Sequence, residues 1–265
     1  MNPYRCTFQL GIERSLEYRV NFFLSLVSCI FPILIQTFLW SYLYGHSDTS
    51  SITGYHYNEI MIYTFFAALV SKLVSTGFEY TINSDIKYGG LNKYLVRPIE
   101  YHYYQLFSFL GEKTPQVMLL LLITIGLLFI FVAWLDFTFS FLRIILFLFA
   151  LYFGIILNFY IFYCIALLSF WLTDVNLLFG TVNVVLVVLG GGIFPMDIFG
   201  ETITHLLSIL PFGYTTQFPI NIINGRYEWK QILMCFYYQI FWIVVFRLCS
   251  NLLWKNGLKR FNAVG

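Results

Sequence analysis

Long apolar runs set off by short polar connections dominate the chain from about residue 22 onward. A run crosses a bilayer when it holds about 20 predominantly apolar residues at 1.5 Å of rise each. Six runs meet that test or approach it: about 22–44 with Pro32 inside, 60–77, 115–134, 139–172, 175–194 and 229–254. The pattern predicts an all-α membrane protein of six transmembrane helices in a single domain over 1–265. The run 139–172 is longer than the bilayer core requires, so it is expected to tilt, bend or project beyond the membrane.

Three segments break the pattern. In Arg5–Arg19, Phe8, Ile12, Leu16 and Arg19 recur at helical spacing, while Arg5, Gln9, Glu13 and Glu17 take another face. That periodicity predicts a short helix lying on the interface before the first span. The segment 84–113 reads Asp85-Ile86-Lys87-Tyr88-Gly89-Gly90-Leu91 and then Asn92-Lys93-Tyr94-Leu95-Val96-Arg97-Pro98. Gly89-Gly90 opens a short helix there, Pro98 stops it, and Leu91, Tyr94 and Leu95 share a face. A short amphipathic helix between two spans suits docking to a cytosolic partner. Tyr101, Tyr103, Tyr104, Leu106 and Phe107 follow and predict a second interfacial helix.

The third departure runs from Gly190 to Tyr227. Pro195 and Pro211 bracket about 15 residues, too few to span. Two short helices, roughly 199–210 and 214–223, are expected within a re-entrant hairpin over 195–227, because non-spanning backbone at membrane depth has to be buried in protein or line a wet cavity.

Composition supports the membrane reading. Of the 265 residues 59% are hydrophobic and 11% charged, against roughly 25% charged in a soluble domain. Too few charges are present to cover a water-facing surface, and a net charge of +2 gives no footing for nucleic acid. The basic residues also set orientation. Arg5, Arg14, Arg19, Lys87, Lys93, Arg97, Lys113, Lys255, Lys259 and Arg260 fall on the side of the termini; Arg143, Arg226 and Lys230 fall on the other. Ten against three predicts a multi-pass membrane protein with both termini cytoplasmic.

Candidate chemistry is sparse. Cys6, Cys29, Cys164, Cys235 and Cys249 have no C-x-x-C spacing, which argues for buried, inert thiols rather than a metal site. Gly111-Glu112-Lys113-Thr114 lacks the first glycine of a phosphate-binding loop. His46, His56, His102 and His205 have no neighbouring ligand pair, so an intramembrane hydrolase finds no support. Three ionisable residues stand at membrane depth: Lys72 and Glu79 on one face of the second span, and Arg247 in the sixth. They fit snorkelling to headgroups, or a gate or bundle-stabilising ion pair with Glu79 as acceptor. Asn158, Asn176 and Asn183 could line a pathway or bond neighbouring helices.

The order of parts resembles the permease subunits of type-2 ABC exporters. An interfacial helix is followed by Tyr18-Arg19-Val20-Asn21-Phe22, two spans, and the cytoplasmic elements Gly90-Leu91, Leu95 and Arg97-Pro98. Three more spans lead to Gly191–Asp197 and then Leu210-Pro211-Phe212-Gly213-Tyr214. The resemblance covers nearly the whole chain and is strongest to the branch of small, paired permeases. It implies a coupling helix carrying Asp85, Lys87, Gly90, Leu91, Lys93, Tyr94, Leu95, Arg97 and Pro98. It implies an outer re-entrant gate at Gly191, Phe194, Pro195, Asp197, Pro211, Phe212 and Tyr214. The implied partners are two ABC ATPase subunits, a second, related permease and membrane lipids. The chain itself would be no enzyme and hold no cofactor, with ATP and Mg on the partner ATPase. A secondary transporter or channel is the alternative, although no repeat links the halves.

Overall fold

The computed structural model describes residues 3–17, 19–28, 30–46, 51–52, 54–135 and 140–261. In order they form α1 (Pro3–Glu17), α2 (Arg19–Ser28), α3 (Ile30–Gly45), β1 (Ser51–Ile52), β2 (Tyr55–His56), α4 (Tyr57–Val74), α5 (Phe78–Lys87), α6 (Asn92–Leu95), α7 (Tyr101–Leu135), α8 (Phe141–Leu167), α9 (Asn176–Leu189), α10 (Glu201–Ile209), α11 (Gln217–Ile223) and α12 (Trp229–Leu258). Short 3-10 turns follow α8 and precede α10. Among the described residues the fold is all-α apart from one small antiparallel pair, Ser51 opposite His56 and Ile52 opposite Tyr55.

Among the described residues four helical stretches are long and apolar enough to cross a membrane: Tyr57–Lys87, Tyr101–Ile123, Phe141–Phe170 and Trp229–Leu258. They carry the second, third, fourth and sixth predicted runs. The first run is carried by α2 and α3, and Cys29 between them lies outside the described residues. Pro32 lies within α3. The fifth run shortens to α9, whose 14 residues rise only about 21 Å. It ends at Leu189 because Gly190 to Gly192 turn the chain, with Gly191 at φ +81°. The start of the fourth run at Phe139 and the motif residue Tyr18 lie outside the described residues.

The separate interfacial helix expected after Pro98 is not observed: it is the beginning of α7, which runs unbroken from Tyr101 through Pro115. Packing supplies the reason. Helix α1 crosses α7 where Gly11 meets Gly111, and a Cβ on either glycine would collide with backbone, at the Ser108 carbonyl for Gly11 and the Phe8 carbonyl for Gly111. Tyr4 stacks on Phe107 with ring centroids 5.6 Å apart, and Arg14 pairs with Glu112 at 3.4 Å. The turn just before Pro115 is thereby held from outside, which overrides the breaking tendency of proline. The buried side of α1 is Thr7 and Gly11; Leu16, expected on the apolar face, is exposed.

Helix α8 is the centre, packed against α4, α5, α11 and α12. Phe159 is fully buried, stacked on Phe78 at 4.6 Å and on Tyr163 at 5.5 Å. In lipid the hydrophobic effect does not drive helices together, so close van der Waals packing and interhelical hydrogen bonds do. Gly154 admits the Thr215 backbone, Asn158 donates to the Val74 carbonyl at 2.7 Å, and Gln239 of α12 donates to the Ala150 and Tyr214 carbonyls. The Asn158 bond takes up a carbonyl at the end of α4, where Ser75 to Gly77 interrupt the helix before α5.

Two short helices occupy the segment before α12, as expected, but they differ. Every residue of α11 is buried. Helix α10 instead exposes Ile203, Leu206 and Ile209.

Candidate functional site

The path from Tyr57 to Lys87 runs the length of the bundle, so two loop clusters lie at opposite ends. At one end, α5 delivers Asp85 into a turn formed by Gly89 and Gly90. Gly89 has φ +75°, in the left-handed region that glycine alone adopts without steric cost, and a Cβ on Gly90 would strike Asp85. Asp85 accepts from the Tyr101 hydroxyl at 2.8 Å and pairs with Lys93 at 3.6 Å. Leu91 and Tyr94 point inward; Tyr94 meets Tyr101 edge-on at 4.9 Å and Lys93 lies 4.8 Å from its ring centre. Burial pushes the Tyr94 hydroxyl above the ordinary tyrosine range, with hydrogen bonding to Tyr104 adding to it.

The predicted helix here is only the single turn α6. Leu95 does not share the buried face of Leu91 and Tyr94: it is 45% exposed, and Val96 is 83% exposed. Arg97 and Pro98 are exposed beside them. The Leu95 N–H closes a helical turn on the Leu91 carbonyl at 3.2 Å, yet its side chain stays outside the buried face. The result is an apolar tip with one guanidinium, standing on a hydrogen-bonded base. Lys87 belongs to neither part, because its ammonium caps the Leu172 and Thr173 carbonyls at the end of the α8 segment.

At the other end, three segments distant in sequence are tied together. Tyr55 donates to Asp197 at 2.7 Å. Burial, followed by the Asp197 charge, raises the Tyr55 hydroxyl above its ordinary range, which keeps it a donor. Arg226 pairs with Glu59 at 3.6 Å, donates to the Gly54 carbonyl at 2.8 Å and lies over the Tyr55 ring at 3.6 Å. Tyr63 donates to the Gly191 carbonyl at 2.5 Å, and Gln217 accepts from the Met196 backbone at 2.8 Å. Of the expected outer residues, Gly191 and Asp197 lie within this tie and Pro195 is buried beside it. Phe194 instead packs edge-on against Trp40 of α3 at 6.1 Å. Pro211, Phe212 and Tyr214 form the α10–α11 turn, where the Tyr214 hydroxyl donates to the Ser208 carbonyl.

The intramembrane charges do not form one group. Glu79 is buried and lies past the break after α4. Lys113 of α7 and Lys72 are within electrostatic range of one another, and Glu79 acts on Lys113 from the opposite sign. Arg247 is elsewhere: it donates to His102 and, at 3.2 Å, to the Tyr103 hydroxyl. Asn176 bonds Asn83 at 3.1 Å, while Asn183 is exposed on α9. Cys164 is buried, Cys6 and Cys235 partly so, and Cys249 exposed, which corrects the expectation that all the thiols are buried. Among the described residues no group of three or more His, Cys, Asp or Glu side chains is placed to hold a metal.

Sequence reasoning missed Tyr55, Glu59, Tyr63 and Arg226, whose partners lie as far as 172 positions away. Arg226 had registered only as a charge on the poorer side of the orientation count. Val96, the most exposed apolar residue of the tip, was also passed over; its place between Leu95 and Arg97 was the available signal.

No curated protein matches the chain. Residues 30–265 match the family model described as ABC-2 family transporter protein, which leaves only the α1–α2 region outside it, and the apolar helices are those of an integral membrane transport component. The chain belongs to the ABC-2 family of transporter membrane proteins.

Proposed function

We propose that this chain is the permease subunit of an ATP-driven exporter, built with a second, related permease and two separate ATPase subunits. The observation that carries the reading is the tip Leu95–Pro98. An apolar and cationic knob, exposed at one end and braced by Asp85, Tyr94 and Tyr101, has the form of an element seated in another protein's cleft. Its base joins α5 and α7, so displacement of the tip is transmitted to both. ATP binding in the partner would close the ATPase pair and push the tip; the tie at the Tyr55–Asp197 end would open and close the pathway on the far side.

In this reading the chain makes six crossings of the bacterial inner membrane, with α2–α3 as the first and α9 as the fifth, and both termini cytoplasmic. Helix α10 lies in the outer leaflet with Ile203, Leu206 and Ile209 toward lipid, and α11 is the re-entrant half, buried against α4 and α8. The aromatic-rich, charge-poor interior suits amphiphilic drugs, lipids or hydrophobic peptides. Transport of a hydrophilic polymer by the reconstituted complex would contradict that substrate class.

The test is a detergent pull-down from the native membrane with mass spectrometry of what is retained. Recovery of an ATP-binding subunit, with or without a second permease, supports the reading. Recovery of the chain alone, stable and active, transfers it to the secondary transporters or channels.

A further inference from the structure

Between the base of the tip and the end of α12 lies a cavity of about 290 Å³, lined among others by Arg97, Glu100, His102, Tyr163, Arg247 and Asn251. The volume sits at the lower edge of the range for small-ligand sites, suited to a headgroup rather than a drug-sized molecule. Its wall is rich in donors. Arginine can only donate, so the contact of Arg247 with His102 Nε2 makes that nitrogen the acceptor and places the ring proton on Nδ1. His102 Nδ1 and Tyr163 Oη are buried in the wall behind the cavity surface, without a hydrogen-bond partner among the described residues, so the groups left to meet an occupant are the two guanidinium groups.

Charge points the same way. Two guanidinium groups border the cavity against one carboxylate, Glu100, and neither arginine is in an ion pair among the described residues. Arginine presents a planar fork that matches phosphate oxygens. Beside Arg247 and Asn251 on the same helix, Leu248 and Leu252 are 58% and 63% exposed, a surface on which acyl chains can lie. Trp254 and Tyr101 line the cavity as well, as aromatic side chains do at headgroup level.

We propose that this cavity binds a phosphate-bearing anion, held by Arg97 and Arg247, and that its source is an anionic phospholipid headgroup beside the coupling tip. The site does not rest on the ATPase reading, because binding is measured on the permease chain alone.

The experiment follows thermal unfolding of the purified chain in non-ionic detergent, titrated with phosphatidylglycerol, phosphatidylcholine or inorganic phosphate. Phosphatidylglycerol is expected to protect at lower concentration than phosphatidylcholine. Arg97→Gln, at the exposed rim, should weaken that protection about fivefold, and the Arg97→Gln/Arg247→Gln pair about 25-fold. Lys259→Gln, which removes a nearby charge outside the cavity, should change nothing. If inorganic phosphate protects as well as the lipid, and Arg97→Gln weakens it equally, the anion site stands and its source is soluble. Equal protection by the two lipids without protection by phosphate, or a preference untouched by Arg97→Gln, overturns the proposal. Because Arg97 is exposed, that single variant keeps the test decisive even if the Arg247 change disturbs folding.

Discussion

The two ends of the bundle solve opposite problems. At the Asp197 end polar groups are spent on one another: Arg226 on Glu59, Gly54 and the Tyr55 ring, Tyr55 on Asp197, Tyr63 on Gly191. At the Asp85 end the polar groups build only a base, and Leu95, Val96 and Arg97 above it are exposed. The first end satisfies its polar groups within the chain; the second leaves an apolar knob exposed. That contrast underlies the proposed division between a gate and a docking tip.

Substitutions can break or sharpen this contrast, and their expected effects fall in order. The largest loss is at neither end but at the α1–α7 crossing that fixes the base. Gly111→Leu forces a side chain into the Phe8 backbone and should cost about 3 kcal/mol, the top of the overpacking range, because backbone yields least. Thermal unfolding in detergent would register it as a clear fall in Tm. Next is Asp85→Ala, which strands the buried Tyr101 hydroxyl and removes the Lys93 pair; about 1–3 kcal/mol is expected. Hydrogen exchange should quicken over 85–97 and stay slow around 51–59.

Arg226→Gln loses a half-exposed ion pair and a cation–π contact, worth about 1 kcal/mol together. Its exchange signature should be the mirror image, faster around 51–59 and unchanged over 85–97. If both variants loosened both regions, the ends would be one cooperative unit and the contrast would be wrong. The smallest effect on stability belongs to Val96→Ser, which touches an exposed side chain and should shift stability within about 0.5 kcal/mol. Charge reversal at Lys93 is less clean than at Arg97, since Lys93 also holds Asp85.

Hydropathy made much of this architecture legible. Runs 139–172 and 229–254 appear as α8 and α12, and the two prolines around 195–211 correctly set off a pair of short helices. Hydropathy could not say which apolar helix is inside. Helices α8 and α12 both qualify as spans, yet more than half of the α8 span is buried and only about a tenth of the α12 span. A lipid-facing leucine and a buried one satisfy the same solvent preference. The distinguishing marks are Gly154, Asn158 and Gln239, residues that permit close approach or bond across helices. Pro115 misled because α1, a hundred residues earlier, holds the turn before it. The Tyr55–Asp197–Arg226 tie was invisible for a related reason: each member is ordinary locally, and only the fold brings them together.

The central claim is that the Leu95–Val96 tip seats an ATPase. Its most direct measurement is the recovery of the ATP-binding subunit with the Leu95→Asp/Val96→Asp variant, compared with the parent chain at equal membrane abundance and with Tm read on the same samples. Seating of the tip predicts recovery reduced roughly tenfold or more, as for loss of a central interface anchor, with Tm unchanged. Full recovery of the ATPase by a variant that carries two carboxylates on that tip would contradict the account.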